Sequence, residues 1–312
     1  MKMIKTTLMA ATALVVATCT PAVAQTTNTV TSSLPVVNYC SGGSGGNYEY
    51  SGRELSRQVR SQVDVQVINT RGSWDNLERI ESGECDMGIV QSDALYVWET
   101  EGNPFNFRVS KPMFTEYVHM ICRRDLGVDS IQELDENASI YAGEIGSGAN
   151  VSIRGMIAAD EEHGGSEFTG FALRNEGGEA AAVFLADGDA DCMIFTAAPG
   201  TTFMNTVERF SDDLVMITVE DKDFNDVVVE DSGGNEVSVW TPVTLPGDSY
   251  GDIMPGGLFG NSSVDTFGVQ ATLVFNEDWV QSNREVFTDL RLAIQDLSNI
   301  IRSGDRELIL VE

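Results

Sequence analysis

From residue 36 onward, short apolar runs alternate with stretches whose apolar residues recur every three or four positions, the pattern of strands each followed by an amphipathic helix. The spacing predicts strand 36–40 then helix 50–63, strand 64–69 then helix 73–82, and strand 86–90 then helix 92–98. Segment 117–123 reads as a further strand and 130–135 as a helix. A second series follows: strand 138–143, helix 149–162, strand 168–173, helix 177–186 and strand 191–196. One βα pattern played twice is the order expected of parallel α/β sheets in two lobes.

Between residues 211 and 262 glycines and acids thicken and the periodicity weakens. There, Val227-Val228-Val229-Glu230 and Glu236-Val237-Ser238-Val239-Trp240 flank a Gly-rich turn and predict a hairpin. A strand at 267–275 and a helix at 280–303 close the chain, the helix with Phe287, Leu290, Ile294, Leu297 and Ile301 on one apolar face.

The first residues have a different pattern. Lys2 and Lys5 precede an apolar run from Leu8 to Val16, and Ala22-Val23-Ala24 offers a cleavage site, so residues 1–24 read as a signal peptide and the mature chain as periplasmic. Cys19 raises a lipoprotein as an alternative, but Thr18 stands where a small Gly or Ala is wanted. No later run reaches the roughly 18 uncharged apolar residues of a membrane span. The remaining residues, of the 312 in all, suffice for two lobes.

Charge narrows the function. The chain has 19 Lys and Arg against 48 Asp and Glu, a formal net charge of −29, and losing Lys2 and Lys5 makes it more negative still. Such a surface excludes nucleic acid, whose binding rests on Lys and Arg neutralising phosphates, and opposes anionic membranes. The acids are scattered, as on a solvated surface, and salt screens their field beyond roughly 8 Å, so local donors can still hold an anion. Cys40, Cys85, Cys122 and Cys192 allow three disulfide pairings in an exported chain, or could remain small core residues. Nothing is spaced as a metal site: Asp187-Gly188-Asp189-Ala190-Asp191 and the 221–226 stretch lack the calcium-loop pattern, and no cofactor is expected.

The candidate chemistry lies in the turns. Strand 36–40 runs into Ser41-Gly42-Gly43-Ser44-Gly45-Gly46-Asn47-Tyr48 and then a helix, which leaves backbone N–H groups suited to an anion. The same residues satisfy the G-x-S-x-G pattern of a hydrolase built on Ser44. That chemistry needs a base, and the two histidines read as a core residue, His119, and a solvated turn, His163. Strand 138–143 repeats the device with Glu144-Ile145-Gly146-Ser147-Gly148-Ala149-Asn150, where Ser147 and Asn150 are caps or ligand donors. Two such turns can face each other across a cleft. Asn69-Thr70-Arg71-Gly72-Ser73-Trp74, Gln91-Ser92-Asp93 and Phe195-Thr196-Ala197-Ala198-Pro199-Gly200 end further strands at the same edge.

In order and spacing these blocks, with Gly72-Ser73-Trp74-Asp75-Asn76-Leu77, Ser82 to Asp93, Tyr117 to Arg123 and Asp187 to Pro199, resemble the TRAP-associated extracytoplasmic immunogenic (TAXI) family of solute-binding proteins. The resemblance implies a type II periplasmic-binding-protein fold, two α/β lobes with a ligand cleft and a hinge, and no catalysis. It divides the chain into lobe one (25–123), lobe two (124–215) and a return, hairpin and completion of lobe one (216–312). It further implies a monomer that delivers a small organic anion, glutamate or a related dicarboxylate, to the membrane subunits of a TRAP transporter. Ser44, Gly46, Asn47, Tyr48, Arg71, Ser73, Gln91, Ser92 and Asp93 would line the cleft from lobe one, and Ser147, Gly148, Ala149, Asn150, Thr196 and Pro199 from lobe two. An anionic group would rest on Ser147 to Asn150, with Arg71 ahead of Arg123 and Arg154 as its charge partner. Ala149 replaces a hydroxyl residue common in the family, Asn150 stands where an acid is frequent, Trp74 is bulkier than usual, and the 219–240 loop is longer and more acidic. A phosphate- or phosphonate-type receptor of an ATP-driven importer is the alternative.

Overall fold

The computed structural model describes residues 34–302, apart from 167 and 259, with side chains as far as Asn299. The expected signal segment, Cys19 and the side chain of Ile301 lie outside the described residues. The first half contains β1 (Val36–Cys40), α1 (Asn47–Val59), β2 (Asp64–Ile68), α2 (Ser73–Glu81), β3 (Met87–Gln91) and α3 (Ser92–Thr100). Its strands lie parallel in the order β2-β1-β3. Strand β3 is covered on both faces and buried at every position, which is why it reads as an almost unbroken apolar run.

A 17-residue strand, β4 (Phe107–Arg123), leads away from this half. The second half repeats the first with β5 (Ser139–Tyr141), α4 (Gly148–Glu162), β6 (Ala172–Arg174), α5 (Gly178–Ala186), β7 (Cys192–Ala197) and α6 (Phe203–Val207), and β5 lies parallel to β6 and β7. There follow β8 (Leu214–Ile217), the hairpin β9 (Val228–Glu230) and β10 (Glu236–Ser238), β11 (Trp240–Leu245), the short pair β12 (Gly256–Gly257) and β13 (Gly260–Asn261), β14 (Val264–Asn276), α7 (Glu277–Ser282) and α8 (Arg284–Arg302).

The two halves share their central strands. β4 and β14 run antiparallel from Phe107↔Asn276 to Tyr117↔Gly268, and Tyr117 also opposes Ala197 of β7. Beyond it β4 pairs with β7 and β8, while β14 pairs with β3 and β11. The sheet is therefore mixed, where the βα order alone predicted parallel strands. The ladder slips opposite Ala271, Thr272 and Val274, where β4 carries Pro112, which has no N–H to donate.

Strand 107–116 escaped the sequence reading because Arg108, Ser110, Lys111, Pro112 and Glu116 break its alternation. The helix expected at 130–135 is one 3₁₀ turn, Ile131–Glu133. The closing helix breaks at Asn283, whose Nδ2 donates to the carbonyl of Trp279 at 2.9 Å. Leu290, Ile294 and Leu297 of α8 bury against Leu55 and Val59 of α1 and Met87 and Ile89 of β3. Each such side chain contributes roughly 1.5–3 kcal/mol on leaving water. The disulfide pairings left open by the sequence are Cys40–Cys85 and Cys122–Cys192, both buried, the second joining cross-strand partners of β4 and β7.

Candidate functional site

The turns after β1 and β5 have the same local backbone. Gly45 and Gly146 both take φ of 83°, where any Cβ would be strained. The N–H of Gly46 donates to the carbonyl of Gly43 at 3.2 Å, and that of Ser147 to Glu144 at 2.9 Å. Four residues past each positive-φ glycine a side chain reaches back: Glu49 Oε2 accepts from Gly45 N at 2.6 Å, and Asn150 Oδ1 from Gly146 N at 3.2 Å. The Gly45 N–H, followed by Arg53, holds the Glu49 carboxyl below its ordinary pKa.

The helix caps differ. Gly46 brings no side chain to the head of α1, whereas Ser147 Oγ accepts from Asn150 N at 3.3 Å and closes the head of α4. The seat expected at Ser147 to Asn150 thus spends part of its hydrogen-bonding capacity internally. The first-turn N–H groups of α1 meet no capping side chain. Asn69 and Thr70, at the end of β2, brace this turn by donating from Asn69 Nδ2 and Thr70 N to the Gly42 carbonyl at 3.2 and 3.1 Å.

A cavity of about 210 Å³ lies between the head of α1 and the turn from β7 to α6. Gly42, Gly43, Gly46, Asn47 and Tyr48 line it from one side, Thr196, Ala197, Ala198 and Thr201 from the other, with Glu116 of β4 between them. None of these is Lys, Arg or His. The volume lies below the roughly 300–1,000 Å³ of drug-sized pockets and suits a small metabolite.

Glu116 is the strongest electrostatic feature of this cavity. Its Oε2 accepts from Tyr48 O–H at 2.9 Å and from Gln91 Nε2 at 3.0 Å. Burial pushes its carboxyl up to about 7, these two donors pull the other way, and nearby Asp93 adds repulsion. Asp93, at the head of α3, is fully buried and likewise pushed up to about 7 by desolvation, although Ser152 Oγ donates to its Oδ2 at 2.6 Å. Asn47 Oδ1, Gln91 Oε1 and Asp93 Oδ1 are buried acceptors with no hydrogen-bond partner.

The halves touch beside the cavity. Gly146 packs on Trp74 and Gly148 on the Gln91 amide, leaving at Gly148 no room for a Cβ. The Arg154 guanidinium lies 5.0 Å from the centre of the Trp74 ring and pairs with Glu101. Tyr96 O–H donates to Glu162 at 2.8 Å.

Of the residues named from sequence, Gly46, Asn47, Tyr48 and Thr196 line the cavity. Ser73 and Gln91 support it from behind, Ser73 Oγ accepting from Gln91 N at 3.1 Å. Gly148 belongs to the contact between halves, Asn150 bonds within its own turn and helix, Ala149 packs beside Gly143, and Ser44 and Pro199 are exposed. Ser92 turns toward the shared strands, donating to the Val239 carbonyl at 2.6 Å and accepting from Gln270 N at 2.9 Å. Arg71 is also displaced from its expected place: its side chain is 74% exposed and faces Asp75 and Glu78, as its position outside the β2 turn dictates. Arg123 pairs with Asp125 and Asp191 away from the cavity. Glu116 was missed; a lone acid among 48 has no sequence signal, though its place before the Tyr117–Arg123 strand was visible. His119 is buried, stacks on Phe195 with centroids 4.4 Å apart and meets Tyr250 O–H at 2.9 Å, and burial lowers it to about 4. His163 Nδ1 lies 2.8 Å from the Ala159 carbonyl, so both histidines are engaged elsewhere than at Ser44.

Two βα halves joined by shared antiparallel strands around a small polar cavity give the Venus-flytrap fold. The chain belongs to the NMT1-like family, whose profile matches residues 40–283. It is similar in structure to the periplasmic aliphatic sulphonate binding protein SsuA from Escherichia coli, with a TM-score of 0.50 and 10% identity over 88% of this chain and 71% of that one. The substrate binding protein of an amino acid ABC transporter matches with a TM-score of 0.47 and 8% identity over 86% of this chain and 94% of that one. The GluR0 ligand binding core in complex with L-glutamate matches at 0.48 and 10% identity, over 86% and 94%. No described helix is long and apolar enough to cross a membrane.

Proposed function

We propose that this chain captures a small organic anion of the glutamate and dicarboxylate class outside the cytoplasm and delivers it to a TRAP-type secondary transporter. The observation that supports the ligand class is the uncapped head of α1 opening on a cavity closed from the other half by Thr196 to Thr201. A ligand carboxylate there takes the place of a cap, which favours anions at a helix head. Contacts to both halves favour the closed arrangement, because a ligand shifts an equilibrium only by its differential affinity for the two states. In this reading residues 25–123 with 216–312 form one lobe and 124–215 the other. The transporter class rests on the resemblance of the turn blocks to the TAXI family.

The phosphate- or phosphonate-type reading suits the same turn less well. Phosphate would concentrate its whole charge on one centre beside Glu116, with no cation among the lining residues and no second group to extend away from it. A thermal-shift screen of amino acids, dicarboxylates, aromatic acids, sulfonates and phosphate tests the ligand class, because a ligand that binds only the folded state raises Tm. A shift with organic acids is expected; a shift with phosphate alone overturns the reading. Uptake into vesicles containing the cognate membrane subunits, driven by an ion gradient without ATP, tests the transporter class. An absolute requirement for ATP would sink it.

A further inference from the structure

Two chemically opposite groups line the cavity. One is the set of N–H groups at the α1 head, without a capping side chain. The other is the Glu116 carboxylate, 9% exposed, whose Oε2 already accepts two hydrogen bonds and whose Oε1 takes none. The side-chain amide of Asn47, lining the same space, buries an unpartnered Oδ1, and Gln91 Oε1 is unpartnered just behind Glu116. Gln91 is fixed in this orientation because its Nε2 is committed to Glu116. What the site lacks around Glu116 is a donor, and a buried acceptor without one is costly.

We infer that the cleft selects an acid that also carries an ammonium group, an amino acid rather than a plain dicarboxylate, with Glu116 as the charge partner of the ammonium and Asn47 as a further acceptor. The inference rests on the organic-acid reading above and narrows it. The ligand carboxylate meets the head of α1 while the ammonium neutralises Glu116, so neither charge is buried alone. A desamino acid of the same length would bring only negative charge and leave the acceptors unmatched.

The sign of the pH dependence separates the alternatives. The titratable groups facing Glu116 are Tyr48 from α1 and Asp93 from α3; the residue opposite it on β14 is Val269, and the β7–α6 turn presents Thr196 and Thr201, which do not titrate. Asp93, also pushed up to about 7, changes charge in the same direction. An ammonium requires ionised Glu116, so affinity rises about tenfold between pH 6 and pH 8 for a carboxyl titrating near 7. A plain acid prefers the protonated form, so its affinity falls over the same interval.

The test is calorimetric titration of the full chain at pH 6 and pH 8 with matched pairs: L-glutamate and glutarate, L-aspartate and succinate, L-alanine and propionate, L-leucine and 4-methylpentanoate, L-phenylalanine and 3-phenylpropionate. The expected result is one amino acid binding at least tenfold more tightly than its desamino partner, with affinity rising with pH. In Glu116→Gln that preference falls below about threefold and the rise with pH shrinks to what Asp93 alone leaves. The wild-type profile needs no variant, so a poorly folded Glu116→Gln leaves the inference testable. A desamino acid binding as tightly as its partner, or an amino acid whose affinity falls with pH, overturns the inference while leaving an organic-acid receptor standing. Binding of phosphate or a sulfonate with no response to either member of any pair overturns the organic-acid reading itself.

Discussion

Ser152 Oγ donates to Asp93 Oδ2 at 2.6 Å and lies 2.8 Å from Thr196 Oγ1, so one hydroxyl ties the head of α3 in the first half to α4 and β7 in the second. The bond crosses between the two halves beside the cavity and is fully buried. In Ser152→Ala the Asp93 carboxyl loses its side-chain donor, at a cost of about 1–3 kcal/mol. Because the loss falls on the contact between halves, ligand affinity should drop by about 5- to 150-fold with far-UV circular dichroism unchanged. Titration with the best ligand of the thermal-shift screen checks this, and unchanged affinity would refute the role assigned to Ser152.

Stability without ligand should fall from pH 5 to pH 8. Asp93 and Glu116 keep their protons to about 7 in the folded chain, whereas the unfolded carboxyls ionise near 4. Between those values the folded state binds more protons, so the stability these two groups contribute is present at low pH and lost as pH rises through 7. The loss is at most about 3 kcal/mol for each group. The Tm of Glu116→Gln should vary less over this range than that of the wild type; a wild-type Tm that climbs steadily from pH 5 to pH 8 would contradict the burial argument.

Gly52 on α1 approaches the ring of Tyr39, and an added Cβ would lie 2.5 Å from it. Tyr39 is fully buried and its O–H donates to the Tyr48 carbonyl at 3.1 Å, so the ring has little room to retreat. Gly52→Ala should therefore destabilise by about 1–3 kcal/mol despite the better helix propensity of alanine. Urea unfolding measures it; a gain in stability would show that the helix can move away from β1.

The Cys122–Cys192 bridge spans 70 residues and joins β4 to β7 within the ladder. Replacing both by serine should cost about 2–5 kcal/mol, chiefly through the freer unfolded chain. Peptide mapping without reduction should recover the pairs Cys40–Cys85 and Cys122–Cys192; any crossed pair would overturn the strand register that brings them together.

The parts of the fold that depend on neighbours in sequence were legible in advance. The strand end at Cys40, the Gly-rich turns and the apolar face of Leu290, Ile294 and Leu297 follow from local pattern, and the third strand ends one residue beyond its expected close at Val90. Glu116 was not legible, because it lies in a strand whose alternation is broken by Lys111 and Pro112 and acts on Tyr48, 68 positions away. Ser92 and Arg71 were placed in the cleft by adjacency along the chain. Their orientation is set by the shared strands for Ser92 and by surface carboxylates for Arg71.

By itself, then, the sequence determined two βα series, the Gly-rich turns that end their strands and Ser147 as a cap or ligand donor at the second of those turns. Those features depend on backbone conformation and hydrogen bonds spanning a few residues. Only the tertiary structure decided which turn opens on the cavity, that β4 and β14 are common to both halves, and that a buried carboxylate faces the α1 head. These depend on contacts between distant segments, where desolvation by the whole fold, rather than local propensity, sets the charge and orientation of each side chain.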